Sequence, residues 1–243
     1  MSTYFICLIE HAQDLSGENG HADGQKSRSL MEAMYAAGLQ PYTMDFRGFG
    51  GTPMDETKGV IPFQCVKDVE SVMDFIASRH GDTCFIDDGG APSSSSPMGS
   101  FMSALLGWSQ GALVAQLAAQ KRPEMLSKLI LYGSIYDPMT SYARPPLYSH
   151  DQIFINANGG DDHNADPTTI KRKNTFDSTI EDFTVEGSIP PEPAILFAEA
   201  ALQADPYKAE WKYLSQFNTL DPAQVHVPTL VVSILLLFGW LTL

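Results

Sequence analysis

Leu105-Leu106-Gly107-Trp108-Ser109-Gln110-Gly111-Ala112-Leu113 is the stretch on which the fold turns. An apolar run, Met102 to Leu106, leads into it. A helix-like run, Ala112 to Gln120, leads out. Strand, tight turn and helix in that order place a serine at a strained bend, with its hydroxyl projecting from the top of a sheet. Glycines two before and two after the serine let the two backbones approach where a Cβ would clash. Ser109 is therefore the candidate nucleophile. The amide N–H of Gln110, next in the chain, is the candidate oxyanion donor. A serine hydroxyl is a weak nucleophile alone and needs a base within hydrogen-bond reach.

Working outward from this turn, strands and helices alternate. Tyr4–Ile9 reads as a short buried strand. Ser27–Ala37 reads as a helix with Leu30, Met31 and Met34 on one face and Gly38 as its cap. Tyr42–Phe46 is a second strand, running into the turn-rich Arg47-Gly48-Phe49-Gly50-Gly51-Thr52. Pro62 opens a helix carrying Val66, Val69, Met73 and Ile76 at spacings of three and four, closed by Gly81. Residues 82–99, with Asp87-Asp88-Gly89-Gly90 and Ser93–Ser96, read as a flexible insertion. Lys128–Tyr132 and Thr229–Val232 are further strands. Between Pro138 and Gln224 the alternation breaks into Pro and Asn/Asp clusters with helical runs over Ala194–Ala204 and Glu210–Phe217. The expected architecture is α/β: a doubly wound, mostly parallel sheet with an inserted helical cap. The core spans 1–137, the cap or lid 138–224, and the last core strand with an apolar tail 225–243.

Composition excludes several classes. The chain has 243 residues, 15 basic and 29 acidic, for a net charge of −14. Nucleic acid and anionic membrane are poor partners for such a surface. Cys7, Cys65 and Cys84 are odd in number and widely spaced, which fits free thiols in a reducing compartment. With no basic residue before Tyr4 and no Asn-x-Ser/Thr site, a cytoplasmic location is expected. Thr229–Leu243 is uncharged, but as a helix its fifteen residues reach only about 22 Å, short of a bilayer core of about 30 Å. No membrane span is expected.

Three segments, in order, resemble the α/β-hydrolase superfamily. Met44-Asp45-Phe46-Arg47-Gly48-Phe49-Gly50-Gly51-Thr52 is similar to its Asp-x-Arg-Gly-x-Gly-x-Ser/Thr loop. Leu105–Gln120 is similar to its nucleophile elbow and helix. Val225–Val232 is similar to its penultimate strand. The resemblance implies an acyl-serine route for a carboxylic ester or related acyl substrate, with no cofactor and a small-molecule acyl partner. It also implies a His-Gly turn for the second oxyanion donor. Here Glu10-His11-Ala12 and Gly20-His21 stand in that region, and neither matches cleanly. After Val232 the superfamily pattern is Gly-x-x-Asp, a helix, a strand and a histidine loop. This sequence has Ser233 to Trp240, unpatterned and apolar. The expectation is a truncated core with the final strand and helix missing, and an incomplete triad. The alternative is a catalytically impaired protein that acts, if at all, as a binding protein.

The remaining candidates follow from that gap. Asp137, before Pro138, is the candidate acid, although Asp-Pro also starts turns. His150 and His163 preserve the order serine, acid, histidine, and His226 precedes the last strand. A solvated loop position is the ordinary reading for each. The Asp161-Asp162-His163-Asn164-Ala165-Asp166 run lacks metal-ligand spacing and reads as loop chemistry, so no metal is expected. Arg47 is expected to hold turn carbonyls. Trp108 lines an acyl pocket or fills the core. With the later strand missing, Thr229–Val232 becomes an edge, and self-association there is expected.

Overall fold

The computed structural model describes residues 4–8, 30–57, 59–80, 103–142, 154–156, 170–172, 174–181, 191–204 and 211–232. Five strands form one parallel sheet: β1 (Tyr4–Leu8), β2 (Gln40–Thr43), β3 (Ser103–Trp108), β4 (Leu126–Tyr132) and β7 (Thr229–Val232), in the order β2-β1-β3-β4-β7. A separate antiparallel pair joins β5 (Phe154–Asn156) and β6 (Ile170–Arg172). The helices are α1 (Leu30–Ala36), α2 (Pro62–His80), α3 (Gln110–Lys121), α4 (Phe176–Glu181) and α5 (Pro191–Ala204).

Burial explains the central strand. Ser103 to Gly107 are all buried, as a strand covered by elements on both faces must be. The register sets Leu105 beside Leu129 and Gly107 beside Leu131, so these four share one face by alternation. α3 lies on that face, with nine buried residues from Gly111 to Ala119. α2 packs on α3 through the expected stripe: Val66, Val69, Met73 and Ile76 are all buried. Gly81 and residues 82–99 lie outside the described residues.

Three elements differ from expectation. β2 begins and ends earlier than Tyr42–Phe46, because its partner β1 pairs only from Tyr4↔Gln40 to Cys7↔Thr43. Phe46 then enters the core from the loop, 2% exposed. α1 buries no residue: Leu30 is exposed, and Met31 and Met34 are half-buried. Among the described residues it lies against β2, the outermost strand on that side of the sheet. The expected helix over Glu210–Phe217 is instead a 3₁₀ turn, Leu214–Thr219. The Lys212 N–H bonds the Val60 carbonyl, and Tyr213 takes a left-handed conformation (φ 54°), which an α-helix does not accommodate.

Residues 211–225 are strapped to this core. Phe217 is buried with Trp211 and Tyr142 against it. The Asn218 side chain accepts from Tyr142 N–H and donates to the Tyr142 carbonyl, at 2.7 and 2.9 Å. Gln216 Oε1 accepts from Phe63 N–H, one of the helix-start donors of α2 that have no partner within the helix.

Candidate active site

Ser109 stands where β3 ends and α3 begins, with φ 52° and ψ −119°. Among the described non-glycine residues, only it and Tyr213 have positive φ. A side chain in that region is strained, and the surroundings must hold it there. Two contacts do so. The Ser109 N–H donates to the Tyr132 carbonyl of β4 at 3.0 Å. Gly107 sits so close under α3 that a Cβ there would lie 2.5 Å from the Gly111 carbonyl oxygen and 2.7 Å from Ala115 Cβ. β3 lies between β1 and β4, so the bend rises from the middle of the sheet at the carboxyl ends of its strands. Ligands bind at that end of open α/β sheets.

Ser109 and Gln110 are both half-buried, within reach of solvent. Gln110 is the first residue of α3, so its N–H has no acceptor within the helix. Trp108 is half-buried too. Its indole lies 3.5 Å from where a Cβ of Gly133 would stand. The left-handed Gly133 (φ 53°) directs the chain past this ring and towards Asp137.

Asp137 organises its own turn. One carboxylate oxygen accepts from Met139 N–H at 2.8 Å and the other from the Thr140 hydroxyl at 2.6 Å. Two described histidines lie away from Ser109. His80 bonds the Tyr42 hydroxyl. Tyr42 is level with Leu105, two strands away and four residues short of the serine. His226 is exposed and precedes β7, whose register matches Val232 with Tyr132 and Tyr132 with Trp108. The six-residue offset from Val232 puts His226 ~20 Å down the sheet, at its opposite end. His11, His21, His150, His163 and the Asp161–Asp166 run lie outside the described residues. Among the described residues, no cluster of His, Cys, Asp and Glu is arranged to hold a metal ion, and no helix is long and apolar enough to cross a membrane.

Arg47 departs from expectation. Its guanidinium binds carboxylates, not turn carbonyls: Nε and Nη2 grip Asp68 of α2 and Nη1 grips Asp55. These bonds raise the Arg47 pKa, Asp68 contributing most. The Asp55 carboxyl is held below its ordinary range, first by the Thr57 hydroxyl and then by Arg47. The Arg-Gly loop is thereby tied to α2, which backs α3. Partners 8 and 21 residues away leave no local motif, so sequence alone does not reveal this clamp.

Residues 15–157, more than half of the chain, match the serine aminopeptidase (S33) family. The chain belongs to that family. The solved structures it resembles include tomato methylketone synthase I, with a TM-score of 0.56 and 14% identity, over 95% of this chain and 78% of the other. They also include the enol-lactonase from Burkholderia xenovorans LB400, with a TM-score of 0.52 and 16% identity, over 96% and 73%. At these identities the likeness shows the fold alone, and that fold is the α/β-hydrolase fold. No curated protein matches the chain.

Proposed function

We propose that this member of a hydrolase family cleaves a carboxylic ester or related acyl substrate through an acyl-serine intermediate. The observation that carries the reading is the strained, half-exposed Ser109 at the strand–helix bend. In this mechanism Ser109 Oγ attacks the acyl carbonyl as a histidine takes its proton. The Gln110 N–H receives the oxyanion that develops. Collapse expels the alcohol, protonated by the same histidine, and water then releases the acid. Asp137 is the proposed acid, because it follows β4 and precedes the proposed bases in the chain. His150 and His163 are the proposed bases, because they follow Ser109 and Asp137 in the order serine, acid, histidine. Within the expected cap, 138–224, the part before Trp211 is proposed to cover the site, because 211–224 packs on the core.

A fluorophosphonate probe tests this reading. Labelling should be lost in Ser109→Ala, and one of His150→Gln and His163→Gln should slow it on the order of 10³-fold or more. Equal labelling of the alanine variant would overturn the assignment.

A second reading, binding with impaired turnover, is supported by the engagement of both Asp137 oxygens in their own turn. It requires ester turnover on the order of 10⁴-fold below an intact triad, unchanged by either histidine substitution.

A further inference from the structure

Two side-chain amides tie residues 211–225 to the two segments that carry candidate site residues. The first is Gln120, in the last turn of α3, the helix that starts at the Ser109 bend with Gln110. Gln120 Nε2 donates to the Thr219 carbonyl at 3.0 Å, and its Oε1 accepts from Asp221 N–H at 3.1 Å. The second is Asn218, between the buried Phe217 and that same Thr219. Its amide accepts from Tyr142 N–H at 2.7 Å and donates to the Tyr142 carbonyl at 2.9 Å. A carboxamide presents a donor and an acceptor in one plane, as a peptide group does, so it fits both backbone groups of one residue. The Tyr142 ring also packs on Phe217, with centroids 5.3 Å apart. Tyr142 is thereby held to a segment that is itself held to α3.

We propose that Asn218 is a positioning residue for Asp137, a role that rests on the reading of Asp137 as the triad acid. Asp137 lies on the segment 133–142 that leaves β4. The start of that segment is fixed at the sheet, where the Ser109 N–H donates to the Tyr132 carbonyl at 3.0 Å. Its end is fixed by Asn218. Between these anchors the Asp137 turn is stiff. The carboxylate accepts from Met139 N–H and the Thr140 hydroxyl, and the Asp137 carbonyl accepts from Thr140 N–H at 3.3 Å. Only Ser141 separates Thr140 from Tyr142. A shift at Tyr142 therefore passes to the Asp137 carboxylate with little slack. In a triad the acid orients the histidine and stabilises its charged form, so the acid's placement sets both the rate and the pKa of the base.

The test is the pH profile of fluorophosphonate labelling in wild type, Asn218→Asp, Asp137→Asn and the double variant. Asn218→Asp keeps the size of the side chain and an acceptor for Tyr142 N–H, but it sets a carboxylate oxygen against the Tyr142 carbonyl. Labelling near neutrality should slow on the order of 10–10²-fold, as a displacement of about 1 Å or less does. A displaced carboxylate favours the imidazolium less, so the pKa of the base falls and the acidic limb of the profile should move to lower pH. Asp137→Asn should move it the same way. A general loss of folded protein would instead lower labelling at every pH and leave that midpoint in place. In the Asp137→Asn background, Asn218→Asp should slow labelling no further, to within about twofold. If Asn218→Asp does not fold, Asn218→Ala carries the same comparisons. An unmoved acidic limb in the Asn218 variant, or a slowing that persists in full without the Asp137 carboxylate, would overturn this proposal alone. Labelling of Asp137→Asn at the wild-type rate would overturn both the acid assignment and the proposal.

Discussion

Replacing Gly107 by alanine tests whether close approach of β3 and α3 sets the bend at Ser109. The new Cβ would meet the Gly111 carbonyl oxygen at 2.5 Å, Ala112 Cα at 2.7 Å and Ala115 Cβ at 2.7 Å. Two of these atoms are backbone and the third is a β-carbon, so no flexible side-chain end can swing aside. Relieving the 2.5 Å contact to an ordinary 3.4 Å moves α3 by about 0.9 Å. Overpacking of this kind costs about 1–3 kcal/mol. At about 2–4 °C per kcal/mol for a chain of this size, Tm should fall by roughly 2–12 °C. The same shift carries Ser109 and the Gln110 N–H with it. A displacement near 1 Å costs on the order of 10²-fold in rate, so fluorophosphonate labelling should slow by about that factor. The assays are a thermal melt and the second-order labelling rate. Gly51→Ala is the control. A Cβ there has nothing within 4 Å and the backbone is not left-handed, so stability should hold or rise by up to about 1 kcal/mol. If Gly107→Ala matched wild type to within about 1 °C and labelled at the same rate, the link from close packing to the bend would fail.

Other outcomes follow from the core and the clamp. Leu129→Ala empties a fully buried position under α3 and should cost about 2–5 kcal/mol, read as a lower urea midpoint with unchanged slope. Arg47→Leu leaves Asp55 and Asp68 without their cation. These side chains are partly solvated, so the urea midpoint should fall modestly with an unchanged slope. Asp55, held below its ordinary pKa, stabilises the fold above its unfolded value of about 3.9, and that contribution is lost as pH falls through its lower folded value. The stability gap between wild type and Asp55→Asn should therefore be full near neutrality and close progressively below about pH 4, as followed by urea titrations at stepped pH.

Some of this protein is legible in its sequence because the governing interactions are local and periodic. The parallel sheet with helices between its strands follows from alternating apolar runs. The buried face of α2 follows from Val66, Val69, Met73 and Ile76 at helical spacing. The bend at Ser109 follows from two glycines flanking a serine between a strand and a helix, where only small residues let the backbones meet. What tertiary structure alone decided depends on partners far away in the chain. Pairing with the short β1 set the limits of β2, and a bond to Val60 turned the stretch before Phe217 into a 3₁₀ turn. The register across β3, β4 and β7 moved His226 to the far end of the sheet from Ser109, a separation that no sequence spacing records. Arg47 found carboxylates 8 and 21 residues away, where local chemistry suggested carbonyls of its own turn. Hydrophobic periodicity specifies which face of an element is buried. Which particular groups meet across that face is decided by strand order and register, and these exist only once the sheet has formed.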